Sequence, residues 1–197
     1  MAGAIAENFE LFDQTSWSVP AYLFRYHHIA FDQLERMRRT GRNPTPIPGR
    51  SGDDCLAFHR DATGNIDAYI VAESKCTRGH SIALIDAAHK QASEEIPKGK
   101  STPFVLEILK ERNTEEANSW YEAISSFYYS DVDQNRYNLV VYVYGRPCPP
   151  ERTRISKTQP HRTYTGKHEL KAVEVSVSGV GELVNQVYRE GGWDAGT

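Results

Sequence analysis

The stretch DCLAFHRDATGNIDAYIVAESKCT (residues 54–77) decides the fold. Two runs rich in branched and aromatic residues flank Ala-Thr-Gly-Asn, a pattern that predicts two antiparallel strands around a tight turn. The second run is apolar through Ala72 and then carries Glu73 and Lys75. Charges on a core strand are costly unless they are paired or bind something. A symmetric turn centred on Thr63-Gly64 pairs Ala62 with Asn65, Asp61 with Ile66, His59 with Ala68 and Asp54 with Glu73. Directly opposed residues share a face, with Cβ atoms about 4.5–5.5 Å apart. Lys75, two residues beyond Glu73, shares that face. The register therefore gathers Asp54, Glu73 and Lys75 at one end of the hairpin. A one-residue bulge substitutes Asp53 for Asp54, and the sequence leaves that choice open. Asp67 has the parity of Glu73, but six residues of strand span about 20 Å. That is too far to share an ion whose ligand bonds are about 2.1 Å, so Asp67 reads as a hairpin-end residue.

Two carboxylates and a lysine so placed suit phosphodiester hydrolysis. Asp54 and Glu73 offer oxygen ligands to Mg²⁺ (or Mn²⁺), hard ions that keep some of their water. Such an ion acidifies a bound water and offsets charge developing on a phosphate. A lysine beside it orients the attacking water or stabilises the transition state, while Ser74 points to the other face. The competing reading is a plain salt bridge across the hairpin.

Outward from the hairpin, residues 21–41 have apolar residues at helical spacing and end in basic residues and a Gly, predicting a helix. Residues 42–52, rich in Pro and Gly, read as a loop. Residues 81–96 predict a helix capped by Ser81, and 115–130 a helix capped by Thr114. The continuous apolar run 136–145 predicts a central strand. Residues 169–179 alternate as a strand with one wet face, and 180–190 close the chain as a helix. The expected order is helix, hairpin, helix, helix, strand, strand, helix: an α/β fold with a mixed sheet flanked by helices.

At 197 residues the chain is long enough for one domain with a real core. Lys and Arg number 23 against 26 Asp and Glu, a formal net charge of -3, which argues against coating nucleic acid by bulk charge. The three cysteines are scattered, with no metal-ligand spacing, so a reducing cytoplasm is expected. The N-terminus has no basic region leading into a long apolar run, and no stretch approaches the roughly 18 apolar residues of a membrane span.

The elements GDD, CLAF and NIDAYIVAESK together resemble the PD-(D/E)xK signature of the restriction-endonuclease-like nuclease superfamily. There an acidic residue opens the second strand of a β-meander and E-x-K lies on the third. The likeness covers roughly residues 50–96, and the later strands fit loosely. The E-x-K strand, IDAAHKQASEE and the terminal strand and helix are also similar to the nuclease subunit of Hachiman-type bacterial antiphage systems. This chain has Gly52-Asp53 where the signature has a Pro, and its first meander strand is hard to find. The resemblance implies a restriction-endonuclease-like mixed sheet over residues 1–197 with the catalytic hairpin at 54–77. It also implies a Mg²⁺-dependent deoxyribonuclease with Asp54, Glu73 and Lys75 in the site. Some members add a Gln from the next helix, a position that Gln91 fits, against the reading of a plain surface Gln. Some add a Glu from the first helix, for which Glu7, Glu10 and Glu35 compete. His27, His28 and His89 read as packed or solvent-facing rather than as ligands.

A nuclease needs positive charge near its site. Residues 36–50 carry five arginines and no acids, Arg38, Arg39 and Arg42 among them. Residues 146–171 carry seven Lys and Arg, including Arg152, Arg154 and Lys157, against two Glu. Both segments are candidates to contact DNA, or else a partner protein. The aromatic residues of 120–129 have the helical spacing of a core face rather than of a stacking platform. A chain of this size leaves no room for a helicase or specificity domain, so a helicase or ATPase partner, or a homodimer, is expected. The alternatives are an inactive nuclease-fold subunit that binds protein or nucleic acid, and a small α/β binding domain.

Overall fold

The computed structural model describes residues 1–14, 16–21, 52–77, 79–132, 134–145, 155 and 161–179. Nearly all of the helix expected over 21–41 and of the loop over 42–52, and the closing helix over 180–190, lie outside the described residues. So do His27, His28 and Glu35.

The elements are α1 (Ala2–Asn8), β1 (Cys55–Arg60), β2 (Ile66–Thr77), α2 (Ile82–Ala92), α3 (Thr102–Arg112), α4 (Glu115–Tyr129), β3 (Asn135–Tyr144) and β4 (Glu169–Ser176). The strands form one sheet in the order β1-β2-β3-β4. β1 and β2 are antiparallel, and β2, β3 and β4 run parallel. This is a mixed sheet flanked by helices. Residues 139–144 are apolar throughout because β3 is one of the two inner strands and is buried there on both faces.

One face of the sheet packs Ala57, Ile70, Leu139 and Val141 against α1 and the segment that carries Phe12 and Trp17. The other face meets three helices. Leu56, Phe58 and Tyr69 pack on α3 and α4 through Val105, Leu109, Ile124 and Phe127. Val140 and Tyr142 pack on α2 through Ile85, Ala88 and Ala92. Phe58 is fully buried, and truncating such a residue to Ala costs about 3–5 kcal/mol. Glu73 and Lys75 have the parity of Tyr69 on β2, so they emerge on this helix-covered face, between α2 on one side and α3 with α4 on the other.

Both expected caps form. The Ser81 side chain accepts from Leu84 N–H and that of Thr114 accepts from Ala117 N–H, each satisfying an orphan donor of a first turn. Glu115 and Glu116 complement the positive end of α4. Two helices were not expected. α1 is a seven-residue helix with no side-chain cap. α3 starts with Pro103 in its first turn and ends at Asn113 in the left-handed region, one residue before the cap of α4. The helix expected over 81–96 stops at Ala92, and the strand expected over 169–179 stops at Ser176. The aromatic face of α4 is core: Phe127 is buried and Trp120, Tyr121 and Tyr128 pack against it. Arg60 lies 3.6 Å above the Trp120 ring.

The hairpin departs from a symmetric turn. Asp61 N–H donates to Asn65 O and Gly64 N–H to Asp61 O, so the loop is Ala62-Thr63-Gly64, with Gly64 at φ 86. Arg60 then pairs with Ile66 and His59 with Ala68, which leaves Asp67 as a bulge. From His59 to Cys55 the pairing is the expected one, ending with Cys55 opposite Ala72. On the outer edge of β1 the chain makes a bridge at Ser18, with both Ser18 N–H to Phe58 O and Phe58 N–H to Ser18 O at 2.9 Å.

Candidate functional site

Asp54 lies one residue before β1, opposite Glu73. Its main-chain N–H donates to Ala72 O at 3.1 Å, and its Oδ2 accepts from Ser74 N–H at 2.7 Å. Asp54 is thus fastened to β2 on either side of Glu73. The Glu73 side chain is 6% exposed, and its Oε1 forms an ion pair with Lys75 Nζ. Lys75 Nζ also lies 3.5 Å from Gln91 Oε1 on α2. The structure therefore brings together Asp54, Glu73, Lys75 and Gln91, three elements contributing to one end of the hairpin.

The position of Gln91 is set by the sheet beneath it. Arg136 on β3 donates to Ile96 O at 2.8 Å, to Glu94 O at 2.9 Å and to Asn138 Oδ1 at 3.1 Å. Asn138 donates to Ala92 O at 3.0 Å and to Tyr164 Oη at 2.8 Å. Asn138 thus satisfies the last carbonyl of α2 and Arg136 two carbonyls of the turn that follows it, and a cation there suits the helix dipole.

Burial pushes the Glu73 carboxyl up to about 7; the hydrogen bond from Lys75 opposes this, and the negative charges of Asp54 and Asp53 add to it. Asp53 is raised as well, by burial, against the hydrogen bond from Ser101 N–H and the charges of Lys100 and Arg136. A cleft of about 20 Å³ beside Glu73 is lined by Asp53, Gln91, Glu94, Lys100 and Arg136 among others. It is large enough for about one water-sized group.

Among the described residues no three His, Cys, Asp or Glu side chains are grouped closely enough to enclose an ion. The donors present still fit a hard divalent cation. Asp54 and Glu73 offer oxygen only, and the ionised form of Glu73 is disfavoured by burial and by the charge of Asp54. A cation facing both would relieve the burial and repulsion that raise Glu73. Two carboxylates leave room for the waters and phosphate oxygens that Mg²⁺ retains.

The other candidates are placed elsewhere. Glu7 Oε1 accepts from Val19 N–H at 3.0 Å, which ties it to the N-terminal segment rather than the cleft, and Glu10 is exposed. Asp67, expected only to end the hairpin, is the bulge residue, and its Oδ1 lies 2.6 Å from His59 Nδ1. His89 is fully buried and donates from Nδ1 to Ile85 O at 2.8 Å, a packed histidine as expected. Arg38, Arg39, Arg42, Arg152, Arg154 and Lys157 lie outside the described residues. The described end of the second basic segment is matched to acids along α2 and just past its end. His161 and Arg162 each lie 3.7 Å from Asp86, and Lys167 and His168 lie 3.5 and 3.1 Å from Glu95.

Sequence reading missed Lys100, Glu94, Arg136 and Ser101. Arg136 is the second residue of β3, and a buried cation there is a signal like that of Glu73. Lys100 and Glu94 sit in a polar turn and carry no such signal.

No cofactor, substrate or partner is assigned by likeness to known proteins: neither a protein-family model nor a curated protein matches this chain.

Proposed function

We propose that the protein is a divalent-metal-dependent endonuclease that hydrolyses phosphodiester bonds in DNA, of the PD-(D/E)xK kind, serving a bacterial defence or restriction system. The observation that carries this reading is the meeting of Asp54, Glu73, Lys75 and Gln91 at one end of the hairpin, with a desolvated glutamate at its centre. Asp54 and Glu73 are the residues that would hold Mg²⁺ or Mn²⁺. Bound there, the ion supplies an acidified water and charge neutralisation at the phosphate. Glu73 has to be ionised to serve, so its proton leaves as the pH passes about 7, earlier when a cation faces it. Lys75 holds its ammonium between Glu73 and Gln91, where it orients the attacking water or meets charge that develops on the phosphate. Gln91 limits the positions that ammonium takes. DNA contacts would come from Arg38, Arg39 and Arg42 or from Arg152, Arg154 and Lys157.

The second reading, an inactive nuclease-fold subunit that binds protein or nucleic acid, draws on the Glu73–Lys75 ion pair, which a purely structural role also explains. The assembled set of four side chains counts against it. Cleavage of supercoiled plasmid and of a labelled RNA, each with Mg²⁺, Mn²⁺ or chelator, tests the proposal. Cleavage of DNA should require the divalent ion and fall by about 10²–10³ in Lys75→Ala, with the circular dichroism spectrum unchanged. Undiminished cleavage in Lys75→Ala refutes this site, and calorimetric Mg²⁺ binding that is equal in wild type and Asp54→Ala refutes the ion's place in it.

A further inference from the structure

Asp53 and Asp54 are adjacent acids at the start of β1, and their hydrogen bonds go to different elements. Asp54 is fastened to β2 through Ala72 O and Ser74 N–H. Asp53 reaches α3. Ser101 N–H donates to Asp53 Oδ2 at 2.8 Å, and Asp53 N–H donates back to Ser101 Oγ at 2.9 Å. Both residues are buried, at 8% and 2% exposure. The two bonds close a ring between the segment that leads into β1 and the residue that caps α3. Gly99, at φ 75, permits the contact: a Cβ there would stand 3.0 Å from Asp53 Oδ2 and 2.7 Å from Leu56 Cδ2.

We propose that Asp53 is the positioning residue of the site, clasping the N-terminus of α3 so that Asp54 is held opposite Glu73. The inference rests on the nuclease reading of Asp54 and Glu73. It gives the two acids different roles: Asp54 faces the reaction, and Asp53 acts through it. The clasp also joins the hairpin to the α3–α4 layer at the end where the site lies, so the placement of Asp54 depends on that layer.

The test compares Asp53→Asn, Asp53→Ala, Ser101→Ala and Asp54→Asn in the full chain by two readouts. The first is divalent-dependent plasmid cleavage. Asn at position 53 keeps an acceptor for Ser101 N–H, so Asp53→Asn should stay within about threefold of wild type, while Asp53→Ala should lose about tenfold or more in kcat. Ser101→Ala, which keeps the N–H and loses Oγ, should fall between them, and it carries the test if Asp53→Ala does not fold. Asp54→Asn should be inactive. A folded Asp53→Asn as inactive as Asp54→Asn would make Asp53 a ligand and overturn the proposal. The second readout is amide exchange at Ser74, followed by NMR, which needs no nuclease activity. Losing the Asp54 acceptor should speed exchange of that amide by about tenfold in Asp53→Ala, and by little in Asp53→Asn. An unchanged Ser74 amide in Asp53→Ala, or in Ser101→Ala should the first not fold, overturns the clasp. A wild type that cleaves nothing removes the nuclease reading, and Ser74 then still decides the clasp.

Discussion

Glu73→Gln removes one buried proton-binding group with little change of shape, and its effect on stability follows from the environment of Glu73. Burial raises this carboxyl from an ordinary 4.5 to about 7. Between those values the folded chain holds a proton that the unfolded chain has released, so stability falls as the pH rises. The penalty is absent below about pH 4.5 and complete above about pH 7. At 1.36 kcal/mol for each pH unit, that interval corresponds to about 3 kcal/mol. Glu73 is 5% exposed, so solvent screens little of it. Gln does not titrate, and Asp53, raised by burial in the same direction, is present in both chains and largely cancels. Urea unfolding of both proteins from pH 5 to pH 8 measures the difference. Wild type should lose about 2–3 kcal/mol relative to Glu73→Gln over that range. Excess Mg²⁺ should shrink the loss, because an ion held by Asp54 and Glu73 favours the ionised carboxylate of the folded state. A difference that stays flat from pH 5 to pH 8 refutes the buried-acid reasoning. A slope that Mg²⁺ leaves unchanged keeps the buried acid and removes the ion from this end of the hairpin.

Gln91→Ala should keep the fold and lower cleavage about ten- to a hundredfold, the size of effect typical of residues that orient a metal-site group; wild-type rates in this variant would make Gln91 a bystander. Neutralising Arg38, Arg39 and Arg42 together, or Arg152, Arg154 and Lys157 together, should flatten the fall of DNA affinity with salt, because phosphate contacts release counterions. If both triple variants keep the wild-type salt slope and lose a protein partner in a pull-down, those segments are a protein interface instead.

The layout of the site was legible where the chain writes its structure in short-range pattern. β2 and β3 are long apolar runs, and the unusual charges on β2 mark the residues that leave the core. Ser81 and Thr114 sit where a helix needs an acceptor. α3 is legible too: Ser101 followed by Thr102 and Pro103, then Val105, Leu106 and Leu109, is a start signal with a buried face behind it. α1 left no such mark, since seven residues with no side-chain cap give neither period nor boundary. The roles of Asp53 and Ser101 were not legible, because the contact joins residues 48 positions apart through a turn that only Gly99 makes tight enough. The described end of the second basic segment shows the same limit. Its composition gives no sign that Lys167 and His168 meet Glu95, or that His161 and Arg162 meet Asp86, acids far away in sequence.

The register of the hairpin is the point at which sequence and structure agree for a reason the sequence conceals. A symmetric turn sets Asp61 against Ile66 and carries Asp54 to Glu73. The real loop of three residues sets Asp61 against Asn65, which alone would carry Asp53, not Asp54, to Glu73. The side-chain period of a strand is two, so a one-residue slip exchanges the faces. Glu73 and Lys75 would then lie on the side of Cys55 and Ala57, under α1, and away from Gln91. The bulge at Asp67 restores the original pairing from His59 onward, and the contact between Asp67 and His59 at 2.6 Å secures it. Bulges re-aim side chains in this way near functional sites. Asp67 stands about 20 Å from Glu73 along the strand and touches none of the four residues gathered there. It nonetheless decides which face of the sheet they share, because everything beyond it on β2 inherits the register it sets.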